Sequence, residues 1–239
     1  MKLTFVCLRL TRHSDSRSVL TAFSRELGRV ALSVPAGGGK GAARTRAITM
    51  PLSIVQCETS AAPGREVMPM RQPAPATVFG RLHSHPVKQM TAMFVADLIA
   101  AVMRHGGADE TVFDYLCASA AALDAASETE LPNYLLCFVT GLAGALGIEP
   151  DISTWRPGRI LDLREGLWRQ TAPLHSDALD PASSDAAARL ARMTFANMGR
   201  YRMTQAERRL ALDQMIRYMA IHLGGIGAMR TLGVLRSLV

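Results

Sequence analysis

The hydrophobic pattern of this 239-residue chain changes period near residue 80, and that change constrains the fold more than any single motif. Upstream the period is two. Val30, Leu32 and Val34 alternate with Arg29, Ala31 and Ser33, and Ile48, Met50, Leu52 and Ile54 repeat the alternation of half-buried strands. "KLTFVCLRL" and "SVLTAF" are two more short runs rich in β-branched or large apolar residues, joined by the polar "TRHSDSR". "RELG" suits a tight turn in which Gly28 takes a positive φ. "REVMPM" reads as a weaker fifth strand, and Pro69 places it at an edge because proline offers no amide to a central ladder. Five short strands with long connections predict a small OB-like β-barrel over residues 1–80. "PMRQPAPA" predicts its boundary.

Beyond that point the period becomes helical. Met90, Met93, Phe94, Leu98, Ala101 and Val102 form one stripe, which "HGG" at 105–107 should end. "DETVFDYLCASAAALD", "LPNYLLCFVTGLAGALG", "SSDAAARLARMTF" and "TQAERRLALDQMIRYMAIHL" predict further helices, the second apolar almost all round and therefore central. The fold class is α+β multidomain: the five-stranded barrel, then an all-α helical domain over 81–239.

Charge divides at the same place. Residues 1–80 hold eleven Lys or Arg against four Asp or Glu, a surplus of seven that equals the net charge of the whole chain. A segment carrying all the excess positive charge is an electrostatic footprint for a polyanion. Within it lies "VPAGGGKGAARTRA". A phosphate-cradling P-loop needs G-x-x-x-x-G-K followed by Ser or Thr, but Val34 stands at the first glycine and Gly41 at the hydroxyl position. The stretch therefore reads as a mobile basic loop between the third and fourth strands. Lys40, Arg44 and Arg46 on this loop, supported by Arg12, Arg17 and Arg29, are the candidate phosphate contacts.

The remaining chemistry is sparse. Cys7, Cys57, Cys117 and Cys137 lie far apart without a C-x-x-C pair, which favours buried thiols in a reduced protein and no metal. His83 and His85 lack companions for a metal site. Asp162 and Glu165 with His175 could be a hydrolytic set, but they flank Arg164 beside a turn glycine, so a structural ion-pair cluster is the better reading. His222 reads as packing or capping. No catalytic signature motif is present, and the expectation is a protein that is not an enzyme and needs no cofactor. No run reaches the roughly 18 apolar residues of a membrane span. Arg9 interrupts the apolar N-terminus, so a strand is expected there rather than a signal peptide, and with it a cytoplasmic, nucleoid-associated location.

Three segments carry a resemblance. "LTAFSRELGRVALSVPAGGGKGAARTR" looks like the barrel signature of the RecO family of DNA repair proteins. "ILDLREGLWRQTAPLH" resembles the "DLREG…P-H" segment of the RecO branch without a zinc cluster. "IRYMAIHLGGIGAMRTLGVLRSLV" is similar to the family's closing run. The resemblance implies an OB barrel packed on a helical domain, acting as a recombination mediator. Such proteins bind single- and double-stranded DNA, anneal complementary strands, contact single-strand-binding protein and, with RecR, help load RecA. Two features refine the expectation. No cysteine follows Cys137, so no zinc is expected. The first eighty residues carry only Phe5, Phe23 and Phe79 as rings, so binding there should lean on phosphate contacts rather than base stacking. An alternative of another class is a protein-only adaptor whose basic barrel docks an acidic partner.

Overall fold

β1 (Lys2–Arg12), β2 (Arg17–Ser24) and β3 (Gly28–Pro35) form an antiparallel meander, and β4 (Ile54–Glu58) returns along the other side of β1. β5 (Val67–Pro69) lies parallel to β3, and β6 (Arg71–Pro75) lies antiparallel to β4. The order β5-β3-β2-β1-β4-β6 leaves a three-residue strand ending in Pro69 at one edge and a strand containing Pro73 and Pro75 at the other. This computed structural model describes residues 1–60, 66–104 and 107–223, and contacts divide the chain into two units, Met1–Ala125 and Ala126–Val239.

The curled sheet is the OB-like half-barrel that the alternating pattern predicts, with one strand more. The proline-rich stretch expected as a boundary supplies that strand. Leu3, Phe5, Cys7, Leu20, Leu32, Val34, Val55 and Met68 fill the concave side as one apolar cluster. Val6 and Leu8, on the opposite face of β1, are also buried, and α2 (Pro86–Val102) packs against that strand. β1 therefore has no polar face in its middle, which explains why its sequence is apolar at successive positions.

Two local expectations shift. The residues after the glycine run form a helix, α1 (Lys40–Ile48), rather than a loop, and the fourth strand starts at Ile54. "KGAARTRAI" is rich in helix formers, and Ala42 and Thr45 bury one stripe of α1, which packs on β3. The alternation at Ile48, Met50, Leu52 and Ile54 comes instead from a turn that buries Leu52 at φ 62°, with the Leu52 amide donating to the Cys7 carbonyl at 2.8 Å. On α2, Phe94, Val95, Leu98 and Ile99 are buried while Met90 and Met93 stay exposed, so the buried stripe is rotated from the one expected.

α3 (Glu110–Ala125) completes the first unit, held by Arg25. That guanidinium bonds Glu110 at 2.7 Å and Asp114, and lies 4.8 Å from the centroid of the Phe113 ring. At the other end of α3, the Asp124 carboxylate accepts the amides of Gly80, Arg81 and Leu82 at 3.1, 2.7 and 2.6 Å. The fully buried Lys88 donates its Nζ to the Asp124 carbonyl at 2.6 Å.

Among its described residues the second unit has helices and one hairpin. α4 (Leu131–Ala145) is central and packs against α5 (Pro181–Leu190) and α6 (Gln205–Leu223). The hairpin pairs β7 (Ile160–Asp162) with β8 (Leu167–Arg169). The expected helix stop at 105–107 and the closing run beyond Leu223 fall at least partly outside the described residues.

Candidate nucleic-acid interface

Strand register decides which candidate arginines meet. Arg12 ends β1 opposite Ser18, and Arg17 opens β2 opposite Pro35, so both lie at the end of the meander where β3 turns into the glycine run. Arg17 donates to Ser33 Oγ at 3.4 Å. Arg46 reaches back from α1 and donates to the Gly37 carbonyl at 2.5 Å. Arg12, Ser18, Pro35, Ala36, Gly37 and Arg46 thereby line a recess of about 300 Å³.

α1 adds to this end of the barrel. Lys40 and Arg44 are exposed and one turn apart, so they share a helix face. Gly39 caps the helix without a side-chain acceptor, and no acidic residue stands in its first turn, which leaves the N-terminal amides unneutralised. The carboxylate seen here is Asp15, paired with Arg12 at 2.8 Å with both side chains largely exposed. Such a pair is worth only about 0–1 kcal/mol, so a phosphate can compete for the arginine. Arg29 is placed elsewhere: it faces Phe23 at the opposite end of β3, roughly 20 Å away by strand rise, and donates to the Arg104 carbonyl at 3.1 Å. The structure thus gathers Arg12, Arg17, Lys40, Arg44 and Arg46 and separates Arg29. Phe5 and Phe23 are fully buried, so neither offers a ring at the surface.

Of the two carboxylates weighed as a hydrolytic set, Glu165 is exposed and Asp162 has structural work. Asp162, only 2% exposed, accepts the amides of Arg164 and Glu165 at 2.9 and 3.2 Å and Arg169 Nε at 3.1 Å. His175 lies 3.5 Å from the same carboxylate. Asp177 ties Arg164 and Arg217, at 2.7 and 2.6 Å, fixing the hairpin to α6, and His222 Nε2 meets the Leu163 carbonyl at 2.9 Å. His83 contacts Ser53 Oγ at 3.1 Å. The cysteines are free thiols, and burial raises Cys57 and Cys117 to about 11 and Cys137 to about 12, which makes them poor nucleophiles. Among the described residues, no three His, Cys, Asp or Glu side chains cluster as a metal site, and no helix is long and apolar enough to cross a membrane.

The second unit holds a groove that charge totals hid. Asn133 of α4 donates to the carbonyls of Met198 and Tyr201, both at 2.9 Å, and Tyr201 Oη donates to the Arg189 carbonyl at 3.2 Å. These bonds pin the segment before α6 to α4 and to the end of α5, and a space of about 640 Å³ lies beside it, lined by α5 and α6. Leu190, Tyr201, Met203, Leu210 and Ala211 form its apolar walls, and exposed Arg189, Arg200 and Arg202 its rim. None of the three guanidiniums lies within ion-pair distance of a carboxylate among the described residues. The Glu207 carboxylate caps α6, accepting the Thr204 amide at 2.7 Å and hydroxyl at 2.9 Å. A domain-wide sum misses this patch. A window over residues 181–210 finds it, with six arginines against two carboxylates.

What the fold and its arginine-lined recess define is a basic OB-like barrel joined to a helical unit. A family profile described as "Recombination protein O C terminal" matches residues 83–230. The chain belongs to the RecO family. It is 29% identical to the DNA repair protein RecO of Porphyromonas gingivalis, covering 98% of this chain and 96% of that protein. It is 25% identical to that of Phocaeicola vulgatus, covering 98% and 96%, and 24% identical to that of Azobacteroides pseudotrichonymphae, covering 94% and 93%.

Proposed function

We propose that this protein is a non-enzymatic recombination mediator in DNA repair, cytoplasmic and nucleoid-associated. Residues 1–80 bind single- and double-stranded DNA without sequence preference, and residues 81–239 serve protein contacts. The observation that carries the reading is the meeting of Arg12 and Arg46 around one recess, with Arg17 at the same end of the meander and Lys40 and Arg44 on the adjoining helix. Arginines placed in this way displace counterions from phosphates, which gives affinity that falls steeply with salt. Neutralising two strands at once lowers their repulsion and favours annealing. Arg29, at the far end of β3, extends the phosphate track or serves the fold.

Family membership supports, as the proposed partners, RecR, with which the protein would help load RecA, and single-strand-binding protein, engaged through its acidic, apolar C-terminal tail. Such a tail needs an apolar pocket edged by cations. The groove between α5 and α6 combines these features, with Leu210 in its wall and Arg189, Arg200 and Arg202 at its rim.

Replacing Lys40, Arg44 and Arg46 together by alanine is expected to weaken binding equally across oligonucleotide sequences. The salt slope should flatten by about 0.7 per lost single-strand phosphate contact. An unchanged slope in an anisotropy titration would sink the phosphate reading and favour the protein-only adaptor. Arg200→Glu should abolish capture of an immobilised tail peptide while leaving that slope intact.

A further inference from the structure

Trp155 is held side-on at the surface of the helical unit. Its indole N–H donates to Asp185 of α5 at 3.0 Å, and the guanidinium of Arg192 lies 5.5 Å from the ring centroid. Arg156 is fixed beside it, donating from one nitrogen to the carbonyls of Ser153 and Trp155 at 3.0 and 2.6 Å. Arg156 and Arg192 are exposed, and neither lies within ion-pair distance of a carboxylate among the described residues. Trp155 is half-buried, with Arg192 over one face of its ring, whereas the other tryptophan, Trp168, is 2% exposed. Asp185 and Arg189 stand one turn apart on α5, Arg192 follows just past its end, and Arg189 also lines the groove.

An anchored ring with one guanidinium over it and another held at the neighbouring residue is what a single-stranded nucleic acid uses: the ring takes a base on its other face and the arginines take the flanking phosphates. The barrel offers little of this kind, because Phe5 and Phe23 are buried in its core and Phe79 is half-buried, edge-on to His83. We infer that Trp155, with Arg156, Arg189 and Arg192, forms a second, base-stacking contact for single-stranded DNA on the helical unit. The inference rests on the nucleic-acid reading of the protein but not on the barrel arginines. It divides the work between a phosphate-gripping surface on one unit and a base-gripping surface on the other. An acidic peptide would also meet the arginines, but it gains little from a flat ring already flanked by guanidiniums.

The test is the intrinsic tryptophan fluorescence of the full-length protein during titration with a deoxythymidine oligonucleotide. Saturable quenching is expected, because Trp168 is shielded and Trp155 is the ring a base can reach. Trp155→Leu should abolish the quenching and weaken oligonucleotide affinity by about fivefold or more, the lower end of a single stacking contact. Arg156→Gln/Arg192→Gln, which leaves the ring in place, should shift the quenching midpoint to several-fold higher oligonucleotide concentration. Quenching that persists when Arg12, Arg17 and Arg46 are all alanine would separate this contact from the barrel, whatever that variant does to total affinity. Absence of quenching at low salt, or a midpoint unmoved by the arginine pair, overturns the inference. So does quenching by an acidic peptide but not by the oligonucleotide, which would assign the surface to a protein partner.

Discussion

At the scale of single residues, Gly28 and Asp15 show two different ways in which one side chain constrains this protein. Gly28 closes the β2–β3 turn at φ 72°, and a Cβ there would collide with the carbonyl of Gly107. Left-handed backbone alone costs an L-residue about 1–2 kcal/mol, and the collision adds to it. Gly28→Ala should therefore lower the urea midpoint by more than that amount implies, with the m-value unchanged. Asp15 acts on affinity instead. Its carboxylate competes with phosphate for Arg12, so Asp15→Asn should tighten oligonucleotide binding several-fold at low salt and little at high salt. Anisotropy at two ionic strengths checks it. The glycine's role was readable from "RELG" alone, because turn chemistry is local. The carboxylate's was not, because its partner becomes visible only once the β1–β2 turn folds back.

At the scale of elements, the segment Gly80–His83 is an acid-sensitive joint in the first unit. Burial by itself would raise the Asp124 carboxyl, but the amides of Arg81, Gly80 and Leu82, and then Lys88, outweigh it and hold the group below the usual carboxylate range. Burial also lowers His83, against the opposing charge of Asp124. Both folded values are depressed, so both contributions are present above the unfolded values and are lost as pH falls through the folded ones. The first unit should lose stability in two acid steps, His83 below its ordinary titration range and Asp124 below the carboxylate range. Asp124→Asn should remove the second, as followed by circular dichroism against pH. Sequence patterning found the long helices and the first three strands because each carries a sustained apolar run or a continuous buried face. It misread Lys40–Ile48 because nine residues with only Ala42 and Thr45 buried give almost no periodic signal, while the apolar turn after them imitates a strand. Composition picked out the candidate cations without placing them: the structure puts Arg29 at the far end of β3 from the others, since charge counting has no register. The groove escaped because its arginines are offset by carboxylates elsewhere in the helical half.

At the scale of the whole molecule, the two units set where the chain can be divided. The contacts of α2 with β1, and of Arg25 with Glu110, Asp114 and Phe113, bind the first two long helices to the barrel. A fragment ending at Ala125 should give a cooperative thermal transition. One ending at residue 80 should not, because Val6 and Leu8 would lose their cover, at about 1.5–3 kcal/mol for each large side chain. Partner recognition is limited by the sheet's two margins. Pro69 stands in the short strand at one edge, and Pro73 and Pro75 in the strand at the other, and each removes an amide that an incoming strand would need. The barrel is thus closed to recruitment by strand addition and resistant to edge-to-edge self-association. Other proteins must recognise it through side chains, and those contacts can be released without unzipping a backbone ladder.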